Sequence, residues 1–329
     1  SIAKKLANGF IRNGHDVINL SDRDVGKFNK SLRDFKGTSY LNTMIYETAK
    51  NYKPDLILLG HSYDIDSETL EKIKDLSKKT VISQWFEDHL ADTGPDFASN
   101  RKKLLKYDNF VTSNFITTHP STLDFLRKKK NFHYLPIPVD KNIEKLKIYE
   151  NNNQINDVFF SMSHGVNRGK LKRDKQDERH NFITDLISEC PNIIFDIYGY
   201  KNREPVWAED FYKVIVNSKM ALNLTRGKPL KYLTSNRIAS LIGNGLLTFI
   251  DKRTQLSNFF NGNEVIFYSG LEDLANKINF YKSNDKKRIN VAKKGRRKYF
   301  DLFECQKVAN YIISKSFNRE ISKKLKWMD

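Results

Sequence analysis

Cysteine is almost missing: Cys190 and Cys305 are the only thiols in 329 residues, far apart and in no C-x-x-C pair. A disulfide framework and a thiolate zinc site are thereby excluded, and a reducing compartment is expected. Long apolar runs are missing too. None approaches the ~20 residues that a membrane-spanning helix requires. The stretch GYKNRE (199–204) is no dinucleotide loop, because G-x-G-x-x-G does not occur. No repeat of ~20–50 residues and no low-complexity tract is present. No secretory leader is visible, and the chain opens at Ser1 rather than Met. Acid is in short supply, with 39 Asp and Glu against 57 Lys and Arg, a formal charge of +18. That balance favours polyanionic partners such as nucleic acid, an acidic membrane face or phosphate-bearing substrates. A merely lysine-rich composition gives the same number, so charge alone selects none of them.

What is present supports folded cores. Hydrophobic residues make up 39% and aromatics 12%. A chain of 329 residues is expected to form two domains. SIAKKLANGFIRNG (1–14) has Ile2, Leu6, Phe10 and Ile11 on one helical stripe, with Gly14 as its stop. HDVINLS then reads as a strand. Because an α/β unit opens on a strand, the first strand of this sheet is expected upstream of Ser1. Alternation continues through a helix at 38–53, the strand DLILLGHS, a helix at 66–78 and the strand TVISQWF. A helix at 97–106, the strand NFVTSN and a helix at 120–130 follow, and LPIPVD closes the unit. A second series has strands at 157–164, 193–199, 220–225, 246–251 and 265–269, with helices between them. Three helices end it, near 271–282, 284–299 and 304–316. The expected fold class is α/β, two doubly wound Rossmann-like domains facing a central cleft. They span 1–145 and 146–329, with the last helices returning to the N-terminal domain.

Parallel strands share their carboxyl ends, so three loops of the second series fall on one sheet edge. SHGVNRGKLKRDK follows its first strand and carries Ser163, His164, Arg168 and Lys172. GYKNREPVW follows its second, with Gly199, Tyr200 and Trp207. TRGKPLKYLTSNR follows its third, with Thr225, Arg226, Lys231, Ser235, Asn236 and Arg237. Cations, glycines and a helix start suit a diphosphate, and an arginine fork suits it better than a lysine point charge. Ser235 and Asn236 are expected as cap donors, and Tyr200 and Trp207 as flanks for a base. The plain alternative for each loop is a solvated basic surface.

With those residues in view, 157–313 resembles the nucleotide-sugar-binding half of GT-B glycosyltransferases, most similarly the spore-maturation-protein-like, glycosyl-transferase group 1 type. Arg168, DIYG (196–199), NSKMALNLT (217–225), Ser235-x-Arg237 and Gly245 carry the likeness. FFNGNEVIFYSGLEDLANKINFY (259–281) and Arg288…Ala292-x-x-Gly295 extend it. The N-terminal half is similar more loosely, at Gly14-His15-Asp16-Val17, PDLILL and Trp85-x-x-Asp88. The resemblance implies metal-independent glycosyl transfer from a nucleotide sugar, without a cofactor, to a glycan or lipid-linked glycan acceptor. Fixed cations would meet the charge growing on the leaving diphosphate. One residue departs from the pattern: Ser240 stands where the group carries glutamate, three residues after the arginine, a place that often contacts ribose.

An inverting transferase also requires a base. WFEDH offers Glu87, Asp88 and His89, and GHSYD offers His61; Asp88, Glu87 and His61 are the candidates, Asp88 first. Asp22-Arg23-Asp24 and Asp64-Ile65-Asp66 have D-x-D spacing but read as turns and caps, so no metal site is expected. The protein is expected in the cytoplasm. The basic runs 127–130, 293–298 and 323–326 would touch an acidic membrane face. Two other readings remain open: a non-catalytic nucleotide- or carbohydrate-binding relative, and a nucleic-acid-binding or nucleic-acid-modifying protein. No nucleic-acid reader motif supports the latter.

Overall fold

A computed structural model describes residues 1–94, 96–162, 178–321 and 324–328. Two compact units are present. One is drawn from Ala3–Asp92, Asp96–Pro136 and Gln306–Asp329, and the other mainly from Ile137–Cys305.

The first unit begins with α1 (Ile2–Arg12), α2 (Asp22–Phe28) and α3 (Thr38–Tyr52). Leu6 and Phe10 of α1 are buried, one turn apart, whereas Ile11 is 55% exposed and lies off the expected stripe. β1 (Leu56–Gly60), α4 (Ser67–Leu76), β2 (Val81–Phe86), α5 (Phe97–Leu105), β3 (Ser113–Ile116) and β4 (Phe132–Tyr134) follow. The strands pair in the order β1-β2-β3-β4, all parallel.

Three expectations are corrected here, and one strand is added. HDVINLS forms no strand; Ile18 and Leu20 are exposed, and a cavity of about 680 Å³ separates the run from β1. A strand without a ladder partner gains nothing from extended geometry. NFVTSN supplies a strand only from Ser113, four residues late. The helix at 120–130 is replaced by two 3-10 turns, Pro120–Thr122 and Asp124–Leu126, because Leu123 is extended between them (φ −119, ψ 98). β4 itself carries no strand signal beyond Phe132-His133-Tyr134 and was not foreseen.

The second unit holds β5 (Asn156–Ser161), α6 (Glu178–Glu189), β6 (Phe195–Tyr198), α7 (Ala208–Ile215), β7 (Ser218–Asn223), α8 (Arg237–Gly243), β8 (Leu247–Asp251), β9 (Ile266–Tyr268), α9 (Leu271–Lys282) and α10 (Asp285–Phe303). Its sheet runs β6-β5-β7-β8-β9, again parallel. One face buries Val158, Phe160, Met220, Leu222, Leu247 and Phe249 against α6 and α9 residues. The other buries Phe159 and Ala221 with Ile215 of α7 and Leu241 of α8. Each of these side chains larger than alanine contributes about 1.5–3 kcal/mol by leaving water.

The final helix, α11 (Cys305–Ser316), belongs to the first unit. Tyr311 meets Phe115 of β3 edge-on at 5.8 Å, and the hydroxyls of Ser83 and Ser316 lie 2.8 Å apart.

Candidate functional site

In the second unit the strand order reverses between β5 and β7. β6 lies on one side of β5 and β7 on the other. Such a switch point opens a crevice beyond the strand carboxyl ends, where ligands of doubly wound sheets sit.

Asn223 is the last residue of β7, at that point. It is 97% buried by its 3% exposure, and among the described residues neither its Nδ2 nor its Oδ1 has a hydrogen-bond partner. Strand alternation puts it on the face of Ala221, toward α8. Arg237 opens α8 and is held from two sides. Its Nη1 donates to the Leu224 carbonyl at 2.9 Å, and its guanidinium lies 4.8 Å from the Phe160 ring centroid. A cation is thus fixed at the mouth between β5 and β7. The Ser235 Oγ is also buried without a partner among the described residues. Neither Ser235 nor Asn236 caps α8: Asn236 occupies the N-cap position with helical angles and makes no side-chain cap bond. The expected capping by these residues is not formed.

The loop after β7 is anchored. The Gly227 amide donates to the Glu178 carboxylate at the start of α6, and the Tyr232 amide donates to the Thr254 carbonyl at 2.7 Å. Thr225 and Arg226 are half-buried in it, and Lys231 lies over the Tyr232 ring at 4.9 Å. Gly199 ends β6 at φ +72, where an added Cβ would stand 2.0 Å from the Met162 carbonyl oxygen. Only glycine allows β5 and β6 to approach so closely. Tyr200 is not free to flank a base. It is buried, its hydroxyl bonds to Thr184 at 2.8 Å and its ring faces His180 at 4.7 Å. Trp207 remains 53% exposed. Ser240 turns its Oγ to the Tyr212 hydroxyl at 3.5 Å, and its carbonyl accepts from Asn244 at 2.7 Å. Ser163, His164, Arg168 and Lys172 lie outside the described residues.

The first unit carries a separate titratable cluster at the carboxyl ends of β1 and β2. His61 follows β1 directly with φ +53, a left-handed conformation that costs a residue with a Cβ about 1–2 kcal/mol. Its ring stacks on Phe86 at 5.1 Å and 12° and meets Trp85 at 5.3 Å. The Glu87 amide points to Nε2 at 3.4 Å, and the Tyr63 hydroxyl sits on Nδ1. That pattern places the ring proton on Nδ1, an assignment made from the network. Glu87 Oε1 and Asp88 Oδ2 each stand 3.8 Å from a ring nitrogen. Burial lowers the imidazole pKa; Asp88 opposes that, and Arg23 and Lys103 add to it, so the net shift is downward. A neutral, acceptor-capable imidazole beside two carboxylates is therefore available at neutral pH. The three predicted residues of this group are brought together, with His61 rather than Asp88 at the centre. Asp22 and Asp24 sit in the first turn of α2, whose cap is Ser21, and Asp66 occupies the N-cap position of α4. Among the described residues no group of three or more His, Cys, Asp or Glu could hold a metal ion.

Sequence reasoning missed Asn223 and Tyr63. The signal for the first was an amide at the end of the apolar run MALN; a polar residue in register with a buried face calls for a partner.

No curated protein sequence matches the chain. Residues 175–314 match a family model described as glycosyl transferase-like. Among solved structures, HepE from Anabaena in complex with UDP-glucose aligns over 88% of this chain and 84% of its own, with TM-score 0.57 at 13% identity. A glycosyltransferase from Rickettsia africae aligns over 96% of this chain and 93% of its own, with TM-score 0.54 at 12% identity. An α,α-trehalose 6-phosphate synthase from Burkholderia multivorans aligns over 88% and 77%, with TM-score 0.51 at 9% identity. The fold is that of a GT-B glycosyltransferase. The family match falls mostly within the five-stranded unit, the part of the chain that carries the closer sequence resemblance. Within this GT-B fold, the five-stranded unit that includes most of the matched residues carries Asn223 and Arg237, and the four-stranded unit carries His61.

Proposed function

We propose that the protein transfers a sugar from a nucleoside-diphosphate sugar to a hydroxyl of a glycan or glycolipid, with the donor nucleotide at the carboxyl edge of the five-stranded sheet. The observation that carries this reading is Asn223: a buried amide at the switch point with neither polar atom partnered among the described residues, one position before Leu224, whose carbonyl accepts from the Arg237 guanidinium. A buried polar group costs free energy until a ligand satisfies it. HepE, the similar fold, is known in complex with UDP-glucose.

As the glycosidic bond breaks, its electron pair stays with the diphosphate. Arg237, Arg226, Lys231 and Arg168 would meet that charge without a metal, which catalyses only where it is stronger in the transition state than in the ground state. His61 Nε2 would accept the acceptor hydroxyl's proton once that hydroxyl displaces the long 3.4 Å contact from the Glu87 amide, and Asp88 and Glu87 would stabilise the imidazolium that forms. For a non-catalytic relative the nucleotide would bind and no sugar would move.

The test is a thermal-shift screen of nucleoside diphosphates and their sugars in EDTA, followed by product analysis with mixed acceptors. A ligand at a hundred times its dissociation constant stabilises the fold by about 2.7 kcal/mol. Absence of any shift with wild-type protein, or the same shift with Arg237→Ala, would count against the reading.

A further inference from the structure

The first unit carries a second feature that the transfer chemistry does not use. Between α2 and α3 the chain leaves and returns to almost the same point. Gly26 and Gly37 touch through their backbones: a Cβ on Gly37 would stand 2.0 Å from the Gly26 carbonyl oxygen, and one on Gly26 would stand 3.0 Å from that of Lys36. The ten residues Lys27–Lys36, the end of α2 and the loop after it, form a protrusion with clamped ends. Its tip is also built. The Ser31 and Asp34 amides donate to each other's carbonyls, at 3.0 and 3.1 Å, which leaves Leu32 and Arg33 at the turn. The Asp34 carboxylate accepts from the amides of Thr38 and Ser39 at the start of α3, at 3.1 and 2.8 Å.

This anchored loop displays Phe28, Leu32 and Phe35, 79%, 88% and 75% exposed, more than any other large apolar side chain among the described residues. Lys27, Lys30, Arg33 and Lys36 alternate with them, and all four are exposed. The only acid in the loop, Asp34, is spent on the α3 amides. Exposed apolar groups ringed by one sign of charge mark an interaction site. A second copy of the same surface would set four cations against four. An anionic bilayer meets both features at once: headgroups pair with the cations while the apolar groups enter the acyl boundary. By contrast, the basic run at 127–130 is partly occupied, since Arg127 pairs with Asp124 and Lys129 with Asp108.

We propose that the loop Lys27–Lys36 is a membrane-docking tip that inserts Phe28, Leu32 and Phe35 into an anionic lipid surface.

The full chain is to be sedimented with phosphatidylcholine vesicles, with and without phosphatidylglycerol. Wild-type protein is expected to pellet with the anionic vesicles alone. Phe28→Ser/Leu32→Ser/Phe35→Ser keeps every charge and is expected to bind at least about tenfold more weakly. Lys27→Gln/Lys30→Gln/Arg33→Gln/Lys36→Gln is expected to lose binding to a similar degree. The emission of Leu32→Trp is expected to shift to the blue with anionic vesicles only. All variants should keep the wild-type melting temperature and nucleotide-induced shift, which separates this proposal from the donor reading. Equal binding by wild type and the triple serine variant would overturn it and assign binding to charge elsewhere. So would velocity sedimentation showing a wild-type dimer that the triple serine variant breaks.

Discussion

At the scale of single residues, two side chains make opposite demands. Asn223 is destabilising as it stands, because its amide left water without gaining a partner among the described residues. Asn223→Ala should therefore leave the melting temperature of the ligand-free protein unchanged or raised, while the shift induced by a nucleotide sugar falls. A matched pair of thermal melts, with and without UDP-sugar, reads both. His61 is held in place by its ring stack, the Glu87 amide and Tyr63. His61→Gln should lower turnover by about 10²–10⁴-fold with donor binding intact. Because burial pulls the His61 pKa below its ordinary value, the acid limb of kcat/KM should fall at a pH under that of free histidine. A limb at or above the free value, measured from initial rates, would argue against His61 as the base.

Elements were legible where the sequence states its own partners. The strands β5, β7 and β8 carry the apolar runs VFF, MAL and LTFI, and parallel pairing at the centre of the sheet buries them. In the first unit the legible signals were local and the deciding facts were not. Val17, Ile18 and Leu20 have strand composition, yet no strand stands beside them. Leu123 and Leu126 have helical spacing, but Leu123 is buried from an extended residue between two 3-10 turns and Leu126 from the end of the second. At the candidate site, Arg237 and the His61 group were legible from residue type and position at strand ends. Asn223 was legible only as an amide closing the apolar run MALN, because its significance lies in having no hydrogen-bond partner among the described residues, a matter of its three-dimensional surroundings. Gly199 makes a prediction at this scale. Gly199→Ala would force a positive φ on alanine and drive Cβ into the Met162 carbonyl. A loss of at least about 1–3 kcal/mol is expected from strain alone, measurable by urea unfolding.

For the molecule as a whole, acid sensitivity has a nameable contributor. His133 of β4 is pushed down to about 4 by burial, with Lys315 adding to the shift. A folded pKa below the unfolded value means that this group's stability is fully present above about pH 6.5 and is lost progressively as pH falls toward 4. Its share is at most about 3 kcal/mol. His133→Gln should therefore flatten the fall of melting temperature across that window, and a variant that retains the full acid slope would refute the assignment. The return of α11 to the first unit has a consequence for synthesis. Residues 137–305 are continuous and leave the ribosome as one piece. The first unit must wait for roughly 180 further residues before its last helix exists. At about 5–20 residues per second, that is an interval of roughly 9–36 seconds in which β3 lacks its Tyr311 cover. Of the two units, the one whose synthesis begins earlier is completed later, and over that interval the face of β3 that Tyr311 covers stays open.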